Sequence, residues 1–244
     1  MRTLKLTLAY DGTRFVGWQR QAEGRSVQGE LEAVLARFAG DPVTVHGAGR
    51  TDAGVHAYGQ VASARVDVTH DTATLTRALN AQLPEDLRVI SVEDAPPDFH
   101  ARFSARAKTY LYQIRNAPIA SPFERHWVWH VPEPLGLDAM HAAAALLVGT
   151  HDFAAFRSVG SEVSGTVRTI FTSAWRDASG LLTYEVSGDG FLRHMVRAIV
   201  GTLVEIGRGW RPADIPALLE GGTRAEAGAT APPQGLILAR VDYD

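Results

Sequence analysis

At 244 residues with 45 % apolar side chains, the chain is long enough to pack either one large domain or two small ones, and a net charge of −3 argues against indiscriminate nucleic-acid binding. The absence of cysteine excludes disulfides, thiolate metal sites and a cysteine nucleophile, and the nine histidines show no metalloprotease spacing. No apolar run is long enough to span a bilayer and MRTLKLTLAYDG has no signal-peptide layout, so a cytoplasmic protein with no metal and no membrane partner is expected.

Leu4, Leu6, Leu8 and Tyr10 alternate as a half-buried strand. A helix is predicted from a Ser26 cap through Val27, Leu31, Val34, Leu35 and Phe38 to Gly40. Val43 and Val45 begin a short strand that leads into a glycine loop, and His56 to Val66 forms a longer strand. A helix over about Thr74 to Leu83, closed by Pro84, and a strand over Leu87 to Val92 complete the order βαββαβ. The same order is predicted again: a strand at Thr109 to Arg115, a helix from an Asp138 cap to Leu147, strands at Arg168 to Trp175 and Leu181 to Val186, a long helix at Phe191 to Ile206, and a last strand at Leu236 to Val241. RAEAGATAPPQG, Arg224 to Gly235, reads as a loop. Each unit has the ferredoxin-like, split-βαβ pattern, so the fold class is α+β, with antiparallel sheets in two similar halves around a cleft. The halves are expected at 1–104 and 105–244, with the seam near APPDFHARFSA, where proline and a charge switch coincide.

That charge switch is local. Pro84 to Asp98 carries five acids against one arginine, whereas Ala101 to His130 carries Arg102, Arg106, Lys108, Arg115 and Arg125 against Glu124 alone. The basic stretch is either a solvated face or a surface for an anionic partner. Tyr110 and Tyr112 in KTYLYQI share one face of its strand, suited to a core role or to stacking on unpaired RNA bases. GWQRQ, Gly17 to Gln21, adds Trp18 and Arg20, as a surface loop or as further RNA contacts.

In HGAGRTDAGVHAYGQVASARV, glycines at 47, 49 and 54 surround a single acid, Asp52. They permit positive φ or a close approach by another segment. Asp52 is then either the cap of a turn or a carboxylate held ionised by a nearby arginine, fit to act as nucleophile or base. The predicted long helix is apolar round nearly its whole circumference and is interrupted by Arg193, His194 and Arg197. A guanidinium buried there demands an acid, and Asp52 is the natural candidate.

The segments AYDGTRFVGWQRQ, SVQGELE, GAGRTDAGVHAYGQVA, ALNAQLPEDLRV, FHARFSARAKTYLYQI, HDFAAFR, TVRTI, GDGFLRHMVRAIVGTLVEIGRG and PPQGLILARVDY, in this order, resemble the tRNA pseudouridine synthase A family over essentially the full length. The resemblance implies isomerisation of uridine to pseudouridine in the tRNA anticodon stem-loop, at tRNA positions 38, 39 and 40. It implies two α/β halves around a positively charged cleft, a homodimer and no cofactor. Asp52 matches the family's catalytic aspartate, Tyr110 the tyrosine at the target base, Arg197 the arginine paired with the aspartate, and Arg50 the arginine that helps extrude the nucleotide. Lys108, Arg193, His194 and Arg20 are further candidates for RNA contact. A non-catalytic RNA-binding module would lack a use for the Asp52 loop. A two-carboxylate glycosidase would need a second acid, for which Asp189 is the distant candidate.

Overall fold

Leu4, Leu6 and Leu8 alternate with less buried neighbours and turn one face of β1 (Arg2–Tyr10) into a core. The computed structural model describes residues 1–158 and 165–243. The chain forms two compact units: residues 1–106 together with the C-terminal stretch from Ile237, and residues 107–236.

In the first unit, α1 (Val27–Ala39) starts at Ser26, whose Oγ accepts from the Gly29 N–H at 3.2 Å, and stops at Gly40 in the left-handed region, as the sequence predicts. β2 (Val45–Gly47), β3 (His56–Val66), α2 (Thr72–Gln82) and β4 (Leu87–Ala95) follow. The cap of α2 is Asp71, which accepts from the Thr74 N–H at 2.8 Å, so the helix begins two residues before the predicted Thr74. The sheet runs β4, β1, β3, with all three antiparallel, and β2 pairs antiparallel to β3. α1 buries Leu31 and Leu35, and α2 buries Leu75 and Leu79.

In the second unit, β5 (Ala107–Asn116) leads to β6 (Trp129–Val131), α3 (Leu137–Ala145), β7 (Gly149–Asp152), β8 (Val167–Ala178), β9 (Leu181–Gly188), α4 (Met195–Gly207) and α5 (Ile215–Leu219). β9 lies between β5 and β8, and β7 adds to β8, all antiparallel. The unit's core is apolar and aromatic: Tyr112, Phe153, Phe156 and Tyr184 are fully buried. Among the described residues no helix is long and apolar enough to cross a membrane.

Three expectations are corrected. The last strand, β10 (Leu236–Asp242), was expected to complete the second half, yet it pairs parallel to β3 through Ile237 and His56 and belongs with the first unit. Hydrophobic patterning marks a strand but not its neighbour. The predicted helix from Phe191 starts only at Met195, because His194 at its N-cap is left-handed, with φ 62. α3 has Gly136 rather than Asp138 at its cap, with no side-chain cap bond. β6 and β7 are too short to show a periodicity.

Candidate active site

The loop bearing Asp52 is fixed from several sides within the first unit. Gly17 forms an isolated antiparallel bridge with Asp52, and the Trp18 N–H donates to the Thr51 carbonyl at 3.0 Å. The Val55 N–H closes a turn onto the Asp52 carbonyl at 3.1 Å, and Gly54 in that turn has φ 78, where a β-carbon is disfavoured. Gly47 is needed for a different reason: a β-carbon there would stand 2.4 Å from the buried Trp18 ring. The side chains left facing outward are half-buried Asp52 and exposed Arg50. The Asp52 backbone thus closes a turn, and the residue is half-buried.

The GWQRQ segment is not a surface loop throughout. Trp18 is buried, and its neighbours are anchored to α1 and β2 by a buried polar cluster. Gln28 Oε1 accepts from the Arg20 N–H at 3.0 Å and from Gln19 Nε2 at 2.8 Å. Gln28 Nε2 donates to Glu32 Oε1 at 3.0 Å, and that same oxygen accepts from the Val45 N–H at 3.0 Å. The Arg20 guanidinium reaches Glu32 Oε2 at 3.2 Å while its side chain stays largely exposed. Arg20 therefore keeps an outward cationic surface on a fixed stem.

In the second unit, Lys108 and Tyr110 lie on β5, opposite Gly188 and Val186 of β9. The Tyr110 ring is 7 % exposed and meets Phe191 edge-on, with 5.1 Å between ring centroids. This contact brings β5 beside the segment that precedes α4. Tyr112, expected on the same face, is wholly in the core, and its hydroxyl donates to the Pro232 carbonyl at 2.7 Å. Burial pushes its phenol well above the usual tyrosine range. Of the pair, Tyr110 keeps some exposure, at 7 %, and Tyr112 keeps none.

Arg193 is exposed, and its carbonyl accepts from the Ser158 N–H at 3.2 Å. His194 Nδ1 lies 2.6 Å from Ser158 Oγ. Arg197, on the first turn of α4, is half-buried rather than enclosed, and its Nε donates to the Ala231 carbonyl at 2.8 Å. The Ala231 N–H returns a bond to the Arg197 carbonyl at 3.0 Å, so the expected loop of residues 224–235 lies along α4 and aims this arginine. Arg193 and His194 precede the helix, which begins only at Met195.

The basic stretch divides between the units, with residues 101–106 in the first and 107–130 in the second. Arg115 is paired with Glu124, its Nε donating at 3.0 Å, so it is removed from the cations open to a partner. Asp189 spends its carboxylate on the Thr169 N–H at 3.0 Å, which accounts for it as the end of a β-ladder rather than a second acid. Sequence reasoning missed Gln60, which is fully buried behind the Asp52 loop. Its signal was an amide at a buried position of a strand, beside apolar Ala57, Val61 and Ala62.

A family model described as tRNA pseudouridine synthase matches residues 7–104 and 143–244. The chain is 47 % identical over 244 residues to the tRNA pseudouridine synthase A of Syntrophotalea carbinolica (strain DSM 2380 / NBRC 103641 / GraBd1), covering all of this chain and 97 % of that protein. It is also 47 % identical over 245 residues to the protein of the same name from Geobacillus sp. (strain WCH70), covering all of this chain and 99 % of that one. Among solved structures, a chain of the crystal structure of a Cbf5-Nop10-Gar1 complex aligns with a TM-score of 0.37 and 12 % identity. That alignment takes in 96 % of this chain and 48 % of the other, and the likeness is too low to carry an argument.

Proposed function

The chain belongs to the tRNA pseudouridine synthase family, whose reaction is the isomerisation of uridine to pseudouridine in tRNA, and we propose that its target is the anticodon stem-loop, at tRNA positions 38, 39 and 40, with Asp52 as the catalytic carboxylate. The observation that carries this reading is the Gly49–Asp52 loop, a fixed backbone from which one carboxylate and one arginine project. The reaction breaks the bond from uracil N1 to ribose C1′, turns the base, and joins C5 to C1′. Every atom is retained except a C5 proton exchanged for one at N1, so neither a redox partner nor a group donor is needed.

In this reading Arg50 helps move the uridine out of the stack, at a cost of a few kcal/mol to the RNA. Asp52 then opens the glycosidic bond, either by covalent attack on ribose or base or by removing a sugar proton, two routes that need the same ionised carboxylate. Arg197 is its charge partner. Tyr110 keeps the freed uracil in place as it turns, and its hydroxyl assists removal of the C5 proton. Lys108, Arg193, His194 and Arg20 contact the RNA, with phosphates as the natural partners of the cations, so affinity should fall steeply as salt rises. The enzyme acts as a homodimer in the cytoplasm and uses no cofactor.

The test is pseudouridine mapping on unmodified tRNA transcripts with the wild-type protein and with Asp52→Asn, tRNA binding being followed in parallel. Pseudouridine in the anticodon stem-loop with the wild type alone, both proteins binding, is the expected result. Binding without product from either protein would replace the enzyme with an RNA-binding module. Release of free uracil would replace it with a glycosidase.

A further inference from the structure

We infer that Gln60, Tyr10 and Thr51 are positioning residues, a buried hydrogen-bonded relay that clamps the two residues flanking Arg50 and so sets where Arg50 and Asp52 project; the inference rests on the pseudouridine synthase reading of this loop. Gln60, on β3, is fully buried. Its Oε1 accepts from the Val61 N–H at 3.2 Å, which leaves its amide nitrogen as the donor on the other side. That nitrogen donates to the Gly49 carbonyl at 2.8 Å and lies 3.4 Å from Tyr10 Oη. Tyr10 Oη stands 2.8 Å from Thr51 Oγ1. One relay therefore holds Gly49 by its carbonyl and Thr51 by its hydroxyl.

Tyr10 and Thr51 are both buried, and Tyr10 sits at the end of β1, just past an irregularity in its register with β3. Burial raises the Tyr10 phenol to about 12, so it keeps its proton at any pH at which the protein works. Its oxygen can accept weakly from Gln60, and between its hydroxyl and that of Thr51 either can be the donor. The Trp18 N–H on the Thr51 carbonyl and the Gly17–Asp52 bridge fix the remaining backbone groups. Polar groups this deep in a sheet core are costly unless satisfied, and here each named partner is a loop atom or leads to one. The side chain between the two clamped residues, Arg50, is exposed. A displacement near 1 Å of a reacting group is enough to cost about a hundredfold in rate, so slack in this relay should appear in turnover before it appears in binding.

Thr51→Val keeps the side-chain volume and removes the hydroxyl, Thr51→Ser keeps the hydroxyl, and Tyr10→Phe removes one buried oxygen and no packing volume. Each is assayed for kcat, KM for tRNA and thermal midpoint, with turnover read well below that midpoint. For Thr51→Val and Tyr10→Phe, kcat should fall about 10- to 100-fold with KM within about twofold of the wild type. Thr51→Ser should recover at least half of the wild-type kcat. If Thr51→Val does not fold, Tyr10→Phe supplies the same readout. Wild-type kcat in either hydroxyl-deleted variant, or equal losses in Thr51→Ser and Thr51→Val, would overturn the relay alone. No product from the wild type would overturn the synthase reading and the relay with it.

Discussion

In the first unit the loop from Gly49 to Asp52 is held by buried polar side chains and by backbone pairing to Gly17. In the second unit the entrance to α4 is held by apolar packing, by Ser158, whose N–H donates to the Arg193 carbonyl and whose hydroxyl meets His194, and by the stretch around Ala229 and Ala231 lying on the helix. A carboxylate that must project at a defined angle cannot be fixed by hydrophobic contact, which is non-directional. Hydrogen bonds supply the direction. Arg197 is aimed by one bond from its Nε to the Ala231 carbonyl. The comparison teaches that directional bonding is concentrated where orientation matters and that plain packing serves elsewhere.

Substituting the two close-approach glycines should separate these regimes most widely. A β-carbon at Gly201 would stand 1.7 Å from the Ala229 carbonyl oxygen, so backbone would have to move. Gly201→Ala should cost about 3 kcal/mol or more, read as a clear drop in thermal midpoint. At Gly47 the obstacle is the Trp18 ring, a side chain that can tilt, so Gly47→Ala should unfold less readily but lose turnover through the displaced Asp52 loop. Equal stability losses with equal turnover losses would erase the distinction.

Acid stability should differ next. Asp86 receives both terminal nitrogens of Arg25, at 2.6 and 2.8 Å, and this pairing holds its carboxyl below the usual range. The unfolded chain then takes up that proton at higher pH than the folded one. The stability Asp86 lends is full above about pH 4 and is lost as pH falls through the lowered folded value. Glu124 is lowered the same way by Arg115 in the second unit, but its side chain is more exposed. Asp86→Asn should therefore flatten the acid limb of the thermal midpoint against pH more than Glu124→Gln does.

The smallest contrast lies at the helix starts. Ser26→Ala removes the cap of α1 and should cost about 1 kcal/mol. α4 has no side-chain cap, and its left-handed His194 carries strain that glycine would relieve. His194→Gly should leave the thermal midpoint within a few degrees of the wild type while lowering tRNA modification. A large fall in stability there would mean that the Ser158 contact outweighs the strain.

The α+β class, both helices of the first unit, the strands around them and the candidates at Asp52, Arg50 and Tyr110 were legible because each rests on local pattern or on a motif. Alternation gave β1, Ser26 and Gly40 bounded α1, and GRTDAG marked the loop. The start of α4 was not legible: Phe191 and Leu192 are apolar because they pack near Tyr110 and within the core, and burial looks alike in helix and in turn. Tyr112 and Tyr110 also looked equivalent, since period-two alternation assigns a face but not what covers it.

The sequence by itself determined most of the order of elements, the family and the glycine loop that carries the candidate acid, because these depend on residues close together in the chain. Only the tertiary structure decided that Leu236–Asp242 joins the first unit, that Trp18 is buried under Gly47, that Arg115 is already paired, and that Gln60 and Tyr10 hold the loop. Apart from the Arg115 pair, each of these joins residues distant in sequence. Their pairing is chosen by which groups burial leaves in need of a partner, and no local pattern records that choice.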